Sequence, residues 1–225
     1  MKMTSVLLGT AALVASTGLA FAGHQHANPM AAHKAKIVHH ELKGVNRSLT
    51  VLYNQQGTDS GIGIDSQNFE SSFAAYDDAA ADDFTTSGTW KVKEIDVVGQ
   101  YYNGYGPAES EDVTIYTSKH GHPNNVWAQA LGVVGSDDGF GSFAIKAKLK
   151  KLKPGKQYWV SVVANCPFFS CGQWAWENQT TQVGDPAQWQ NPGGGFGVCP
   201  TWDDENVCIP DGQGDHMFTL RGASL

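Results

Sequence analysis

An all-β domain, wound as a β-sandwich or jelly roll of about nine strands, is the fold class this sequence predicts. Three observations predict it. Segments rich in valine, isoleucine, threonine and aromatic residues recur along the chain and stop at turn residues. The 26 glycines and 9 prolines supply those stops. No long stretch repeats apolar residues at the spacing of an amphipathic helix.

The N-terminus is read first. "MKMTSVLLGTAALVASTGLAFAG" places Lys2 before an apolar run from Val6 to Ala20 and a small-x-small site at Ala20-Phe21-Ala22. That pattern predicts a signal peptide over 1–22, cleaved before Gly23. The run is too short and too rich in glycine, serine and threonine for a membrane span. No cysteine follows the cleavage site, so no lipid anchor is expected. Residues 23–47 hold five of the eight histidines and lack a sustained apolar face, so they read as a flexible, histidine-rich leader. Residues 48–225 read as one β-sandwich domain, since the roughly 200 residues left after cleavage suit a single all-β unit.

Within that domain "SLTVLYNQ" (48–55) is the first strand, followed by the turn-rich "QGTDSGIGIDSQ". "FAAYDDAAADDFTT" (73–86) holds a second extended piece. "TWKVKEIDVVGQYY" (89–102) alternates Trp90 and Val92 against Lys91 and Lys93, then shifts phase at Ile95 and Val97, as a β-bulge would cause. "DVTIYT" (112–117) and "VWAQALGVV" (126–134) follow, with His120-Gly121-His122 read as a turn between them. "SFAIKAKLKKL" (142–152) has the clearest period of two, with Phe143, Ile145, Ala147 and Leu149 on one side and Lys146, Lys148 and Lys150 on the other. "KPGK" (153–156) turns the chain into "QYWVSVVAN" (157–165), and "GQWAWEN" (172–178) and "HMFTLRG" (216–222) complete the set. The connection 178–215 is long and rich in glycine, proline, asparagine, aspartate and tryptophan. A connection of that length usually carries function or is pinned covalently.

Cysteine usage and charge narrow the setting. Cys166, Cys171, Cys199 and Cys208 are an even set in an exported chain, which predicts disulfides with three possible connectivities. The local pairs Cys166–Cys171 and Cys199–Cys208 are preferred. Zinc is the weaker reading, because no C-x2-C spacing occurs. With 22 acidic against 15 basic residues and a net charge of −7, non-specific nucleic-acid binding is not expected. The expected location is extracellular, with the periplasm as alternative, and the mature chain is expected to carry no transmembrane segment.

The segments "SQNFESSFAAYDDAAADDF", "GTWKVKEIDVVGQYYNGYGPAESEDVTIYT", "LKPGKQYWVSV" and "GQWAWENQT" together resemble exported β-sandwich domains of bacterial secreted proteins. There an Ala-Asp-Asp-Phe strand start, a Thr-Trp strand, a Pro-Gly-x-Tyr-Trp-Val strand and a Trp-x-Trp-Glu-Asn strand recur in this order. The resemblance spans most of 48–222. It implies architecture and export, and no particular chemistry.

Several groups of residues are candidates for function, each beside a plainer reading. Trp174 and Trp176 project to one face of a strand, roughly 7 Å apart. With Trp189, Trp202 and the polar Glu177 and Asn178 they would make a platform for sugar rings. The plainer reading, preferred for the strand pair, is core packing; Trp189 and Trp202, placed in loops, are the better platform candidates. Asp82, Asp83 and Asp215 would fit a structural calcium between an early strand and the last one, against the preferred reading of solvated turn carboxylates. The leader's histidines could chelate metal incidentally. Lys146, Lys148, Lys150, Lys151, Lys153 and Lys156 could meet an anionic polysaccharide, although protection of a solvent face or edge strand is the simpler view.

Catalysis has little support. "GTDSGIG" around Ser60 lacks the context of a serine hydrolase, and neither G-x-S-x-G nor H-E-x-x-H occurs. Glu94 and Glu177, the strand-borne glutamates that a glycoside hydrolase would need, are both expected to face outward. The function expected is a non-catalytic secreted module that binds extracellular or cell-envelope glycan, with polysaccharide or other envelope components as partners. The alternatives are a structural, matrix or adhesion protein acting through protein contacts and, less favoured, a hydrolase.

Overall fold

The computed structural model describes residues 29–34, 42–212 and 214–225. The expected signal peptide, and much of the expected leader, lie outside the described residues. Strands dominate the rest. In chain order they are β1 (Ala32–Lys34), β2 (Thr50–Gln55), β3 (Asp59–Asp65), β4 (Gln67–Asn68), β5 (Ala79–Thr85) and β6 (Trp90–Val97). Next come β7 (Gly99–Tyr102), β8 (Ser110–Lys119), β9 (His122–Val133), β10 (Ser136–Asp137) and β11 (Phe143–Lys146). The last are β12 (Gln157–Asn165), β13 (Gln173–Gln179), β14 (Gln188–Gln190), β15 (Asp203–Asp204) and β16 (Phe218–Ser224). Among the described residues helix is confined to α1 (Phe168–Cys171), α2 (Glu205–Cys208) and one 3-10 turn.

The strands form three sheets. The first runs β1-β3-β13-β7, the second β10-β11-β6-β16-β2, and the third β15-β14-β5-β12-β8-β9 with β4 beside β12. Pairing is antiparallel except between β4 and β12. The first two sheets are stitched together where Glu177 N donates to Val98 O (3.0 Å) and Met217 N to Glu177 O (2.8 Å). The second sheet faces the third across the core. Phe84 of β5 lies 6.2 Å from Trp90 of β6 and 6.4 Å from Phe218 of β16. β12, apolar from Tyr158 to Ala164 except for Ser161, occupies the middle of the third sheet and buries seven of its nine residues.

Sixteen strands stand among the described residues where about nine are expected from sequence. Six short pieces and the seven-residue β3, read from sequence as a turn-rich stretch, account for the excess. β4, β10 and β15 have two residues each, too few to show a periodicity. The turn at His120-Gly121 is as expected. Both residues have positive φ (56° and 78°) and Lys119 pairs with His122, a two-residue hairpin turn. The phase shift in β6 is also real. Arg221 pairs with Glu94 and Gly222 with Val92, so Lys93 is left as the extra residue of a bulge.

Both local disulfides form, Cys166–Cys171 with Cα atoms 5.5 Å apart and Cys199–Cys208 with 5.7 Å. The second bridge ties α2 to the glycine-rich stretch before it, so part of the long 178–215 connection is pinned. Among the described residues no helix is long and apolar enough to cross a membrane.

The described parts of the leader differ from the flexible segment expected. Ala32–Lys34 extends the first sheet by pairing with Ile64–Ile62. Met30 N donates to Gln173 Oε1 (3.0 Å), and Gln173 Nε2 returns a bond to Met30 O. Residues 42–49 lie over the outer face of the second sheet, where Asn46 N donates to Glu94 Oε1 at 2.8 Å. Sheet backbones and side chains supply partners that composition alone does not reveal.

Candidate functional site

The indole-rich strand is settled by burial. Trp174, Trp176 and Trp189 are all 0 % exposed. Each indole N–H donates to a backbone carbonyl: Trp174 to Gly141 O (2.6 Å), Trp176 to Met217 O (3.1 Å) and Trp189 to Asp65 O (2.9 Å). A buried tryptophan needs such a partner, and here the fold provides all three. Trp174 fits because Gly99 lies against it; a Cβ there would stand 2.5 Å from the indole nitrogen. Trp176 stacks on His216 with ring centres 4.5 Å apart. The core reading therefore holds for the strand pair. Trp189, expected as an open platform, also points inward, because β14 pairs with β5 and carries it into the core. Only Trp202 of the four keeps some exposure, edge-on to Tyr116 at 5.6 Å.

Glu177 and Asn178 are equally buried, contrary to the outward-facing arrangement expected for Glu177. All seven residues of β13 are buried because both of its faces are covered. Met30 packs at Gln173 and Gly57 N donates to Gln179 Oε1 at 2.8 Å. Asn178 Nδ2 donates to Glu205 Oε1 (2.5 Å), and Glu205 Oε2 meets His216 Nε2 at 2.9 Å. Neither oxygen of Glu177 has a hydrogen-bond partner among the described residues. Burial, with Asp59 nearby, pushes its carboxyl up to about 9, so it is neutral at pH 7.

Asp82, Asp83 and Asp215 do come together. Burial and then Asp215 raise Asp82 well above the usual carboxyl range. Burial lifts Asp83 to about 6 and Asp215 to about 7. Their oxygens meet protein donors. Asp82 Oδ2 accepts from Gln55 Nε2 (2.8 Å) and His216 N (2.5 Å), Asp83 accepts from Gln157 Nε2 (2.8 Å) and Asp185 N (2.9 Å), and Asp215 accepts from Val183 N. Among the described residues no group of three or more histidine, cysteine, aspartate or glutamate side chains is arranged to hold a metal ion. All three are buried, so they are not the solvated turn carboxylates preferred from sequence; the protein's own N–H groups take the place of solvent at their oxygens. Ser60 lies in β3, where its Oγ accepts from Ile62 N (3.2 Å).

The open chemistry lies elsewhere, on the outer face of the second sheet. A groove of about 460 Å³ is lined by Asn46, Leu49, Val92, Ala147 and Leu149, with Lys91, Lys93, Lys146 and Lys148 around it and Glu94 inside. The strand pattern builds it. Core residues Val92, Ile95 and Val97 leave Lys91 and Glu94 on the other face, and the Lys93 bulge re-aims the backbone between them. Lys146 on β11 and Arg221 on β16 stand opposite Glu94. None of the four lysines ion-pairs among the described residues. Glu94 is 0 % exposed; one of its oxygens takes the Asn46 N–H and the other, Oε2, has no partner among the described residues.

Lys146 and Lys148 belong to the stripe seen in sequence, where edge protection is the simpler view. Lys91 and Lys93 are the residues that sequence reasoning missed as part of a site, and Glu94 was weighed there only as a hydrolase carboxylate expected to face outward. The signal was present in the alternation of Lys91 and Lys93 with Trp90 and Val92. What it lacked was the pairing of that strand with the lysine strand. No protein-family model matches the chain, and no curated protein or solved structure matches it.

Proposed function

We propose that this chain is an exported, non-catalytic module of two facing β layers, in jelly-roll winding, that binds an acidic extracellular or envelope glycan through the lysine-lined groove. The observation that carries the reading is the gathering of four lysines, none ion-paired among the described residues, around one groove on a chain of net charge −7. A cationic patch on an otherwise acidic surface concentrates a polyanion at one place and repels it elsewhere. Half-buried Leu49 and the aliphatic stems of the lysines give the carbon face of a sugar ring something to cover. Two disulfides suit an oxidising compartment, which supports export.

Calorimetric titration with polygalacturonate and with neutral dextran tests this reading. The acidic polymer binds, the neutral one does not, and added salt weakens binding. Lys146→Glu together with Lys148→Glu lowers affinity by about tenfold or more, roughly 1.4 kcal/mol, without changing the melting temperature. Equal binding of dextran, or an unaffected double variant, removes the groove from the account.

A further inference from the structure

Within that reading, on which it rests, we infer that Glu94 makes the groove selective for acidic sugars that keep free hydroxyl groups, as uronic acid polymers do, over polyanions that carry no donor. The groove has two chemistries at two depths. Lysine ammonium groups surround it, and they are satisfied by any anionic group. Beneath them lies Glu94, 0 % exposed, whose Oε2 has no partner among the described residues while its other oxygen is held by Asn46 N at 2.8 Å. That bond fixes the carboxyl group in place, so the second oxygen is a preorganised acceptor.

An acceptor oxygen offers nothing to a ligand carboxylate or phosphate, which has no proton to give. It does reward a ring hydroxyl, which donates. A uronate unit supplies both groups, its carboxylate to the lysines and a hydroxyl to Glu94. A polymer bearing only charges returns no hydrogen bond to Glu94 Oε2. Sites built around a buried hydrogen-bonding group discriminate strongly against ligands lacking the partner, because the group is left unsatisfied. The lysines come from two neighbouring segments, Lys91 and Lys93 from β6 and Lys146 and Lys148 from the end of β11 and the residues after it.

The test compares polygalacturonate with an acrylate–ethylene copolymer spaced to the same charge per length, which carries carboxylates and no hydroxyls, and with polyacrylate itself, on the full chain at equal ionic strength. The wild type prefers polygalacturonate over the copolymer by about tenfold. Glu94→Met, similar in volume, keeps copolymer and polyacrylate affinity and brings polygalacturonate and the copolymer within about twofold of each other. A ligand-side measurement avoids any dependence on the variant's folding: O-acetylated polygalacturonate, with carboxylates intact and hydroxyls blocked, binds the wild type as weakly as the copolymer. Equal wild-type affinity for polygalacturonate, its O-acetylated form and the copolymer, or a preference that survives in Glu94→Met, overturns the role of Glu94 alone. Failure of every polymer to bind overturns the glycan reading itself.

Discussion

β13 and the strand pair β6–β11 are built on the same period of two, and they use it in opposite ways. In β6 and β11 one set of alternate residues, Val92, Phe143 and Ile145, enters the core, while Lys91 and Lys146 stand outside. In β13 the set Trp174 and Trp176 enters the core, but Gln173, Glu177 and Gln179 are buried as well. A strand with one wet face displays its chemistry to ligands. A strand covered on both faces must satisfy its polar groups internally, as Gln173 does through Met30 and Asp65 (Nε2 to Oδ2, 2.7 Å). The region richest in sugar-like recognition residues is thus the scaffold, and the plainer lysine-bearing strands hold the open groove.

The largest expected effect is a stability difference between these regions. Trp176→Ala removes an indole packed on His216, Trp174 and Phe218 and a hydrogen bond to Met217 O. It costs about 3–5 kcal/mol in urea unfolding, the usual range for a buried tryptophan truncated to alanine. Lys148→Ala, on the exposed side, changes stability by less than about 0.5 kcal/mol. Similar costs for the two would erase the division between scaffold and surface.

A smaller effect, with an unusual sign, comes from the acids buried in the scaffold. The Glu177 carboxyl ordinarily loses its proton near 4.5 but in the fold keeps it up to about 9, mainly through burial. Between those values the folded state binds more protons than the unfolded state, so stability falls as pH rises through the window. Asp65, raised from 3.8 to about 8 chiefly by burial, acts in the same direction. So does Glu111, raised to about 7 by burial. The melting temperature is therefore expected to drop by about 5 °C or more from pH 5 to pH 9. Glu177→Gln flattens part of that slope, raising the melting temperature at pH 9 relative to pH 5. A melting temperature that climbs from pH 5 to pH 9 would show that these carboxyls are ionised in the fold.

How much of this was legible in the sequence depends on whether the deciding contact is local. The His120-Gly121 turn, the two short disulfide loops and the bulge in β6 are set by residues near one another in the chain, and each could be read there. β3 hides in "GTDSGIGID", because its glycines mimic a turn. Gly63 is there for close approach: a Cβ would stand 2.7 Å from both Ala175 and Glu177. β1 has three residues, and its strand character exists only through β3. The burial of Glu94 depends on residues 42–49 crossing a sheet formed from distant strands. The inward turn of Trp189 depends on β14 finding β5, over a hundred positions earlier. Periodicity reports that a strand has two faces; it does not report what covers the second.

The smallest expected effect is the one that best separates the two regions as binding surfaces. Trp202 alone among the four tryptophans proposed for sugar stacking keeps an exposed side, and it sits beside β15 at the edge of the third sheet, against Tyr116. The groove lies on the outer face of the second sheet, and Trp202 is absent from its lining. Trp202→Ala should therefore lower stability by less than about 1 kcal/mol, the cost of one edge-on aromatic contact and a partly exposed ring. It should shift polygalacturonate affinity by less than about twofold, within what additivity allows for distant sites. Should that single change abolish polymer binding while Lys146→Glu and Lys148→Glu together leave it intact, the ligand would belong to the disulfide-pinned loop of the third sheet, and the lysines would revert to guarding a solvent face.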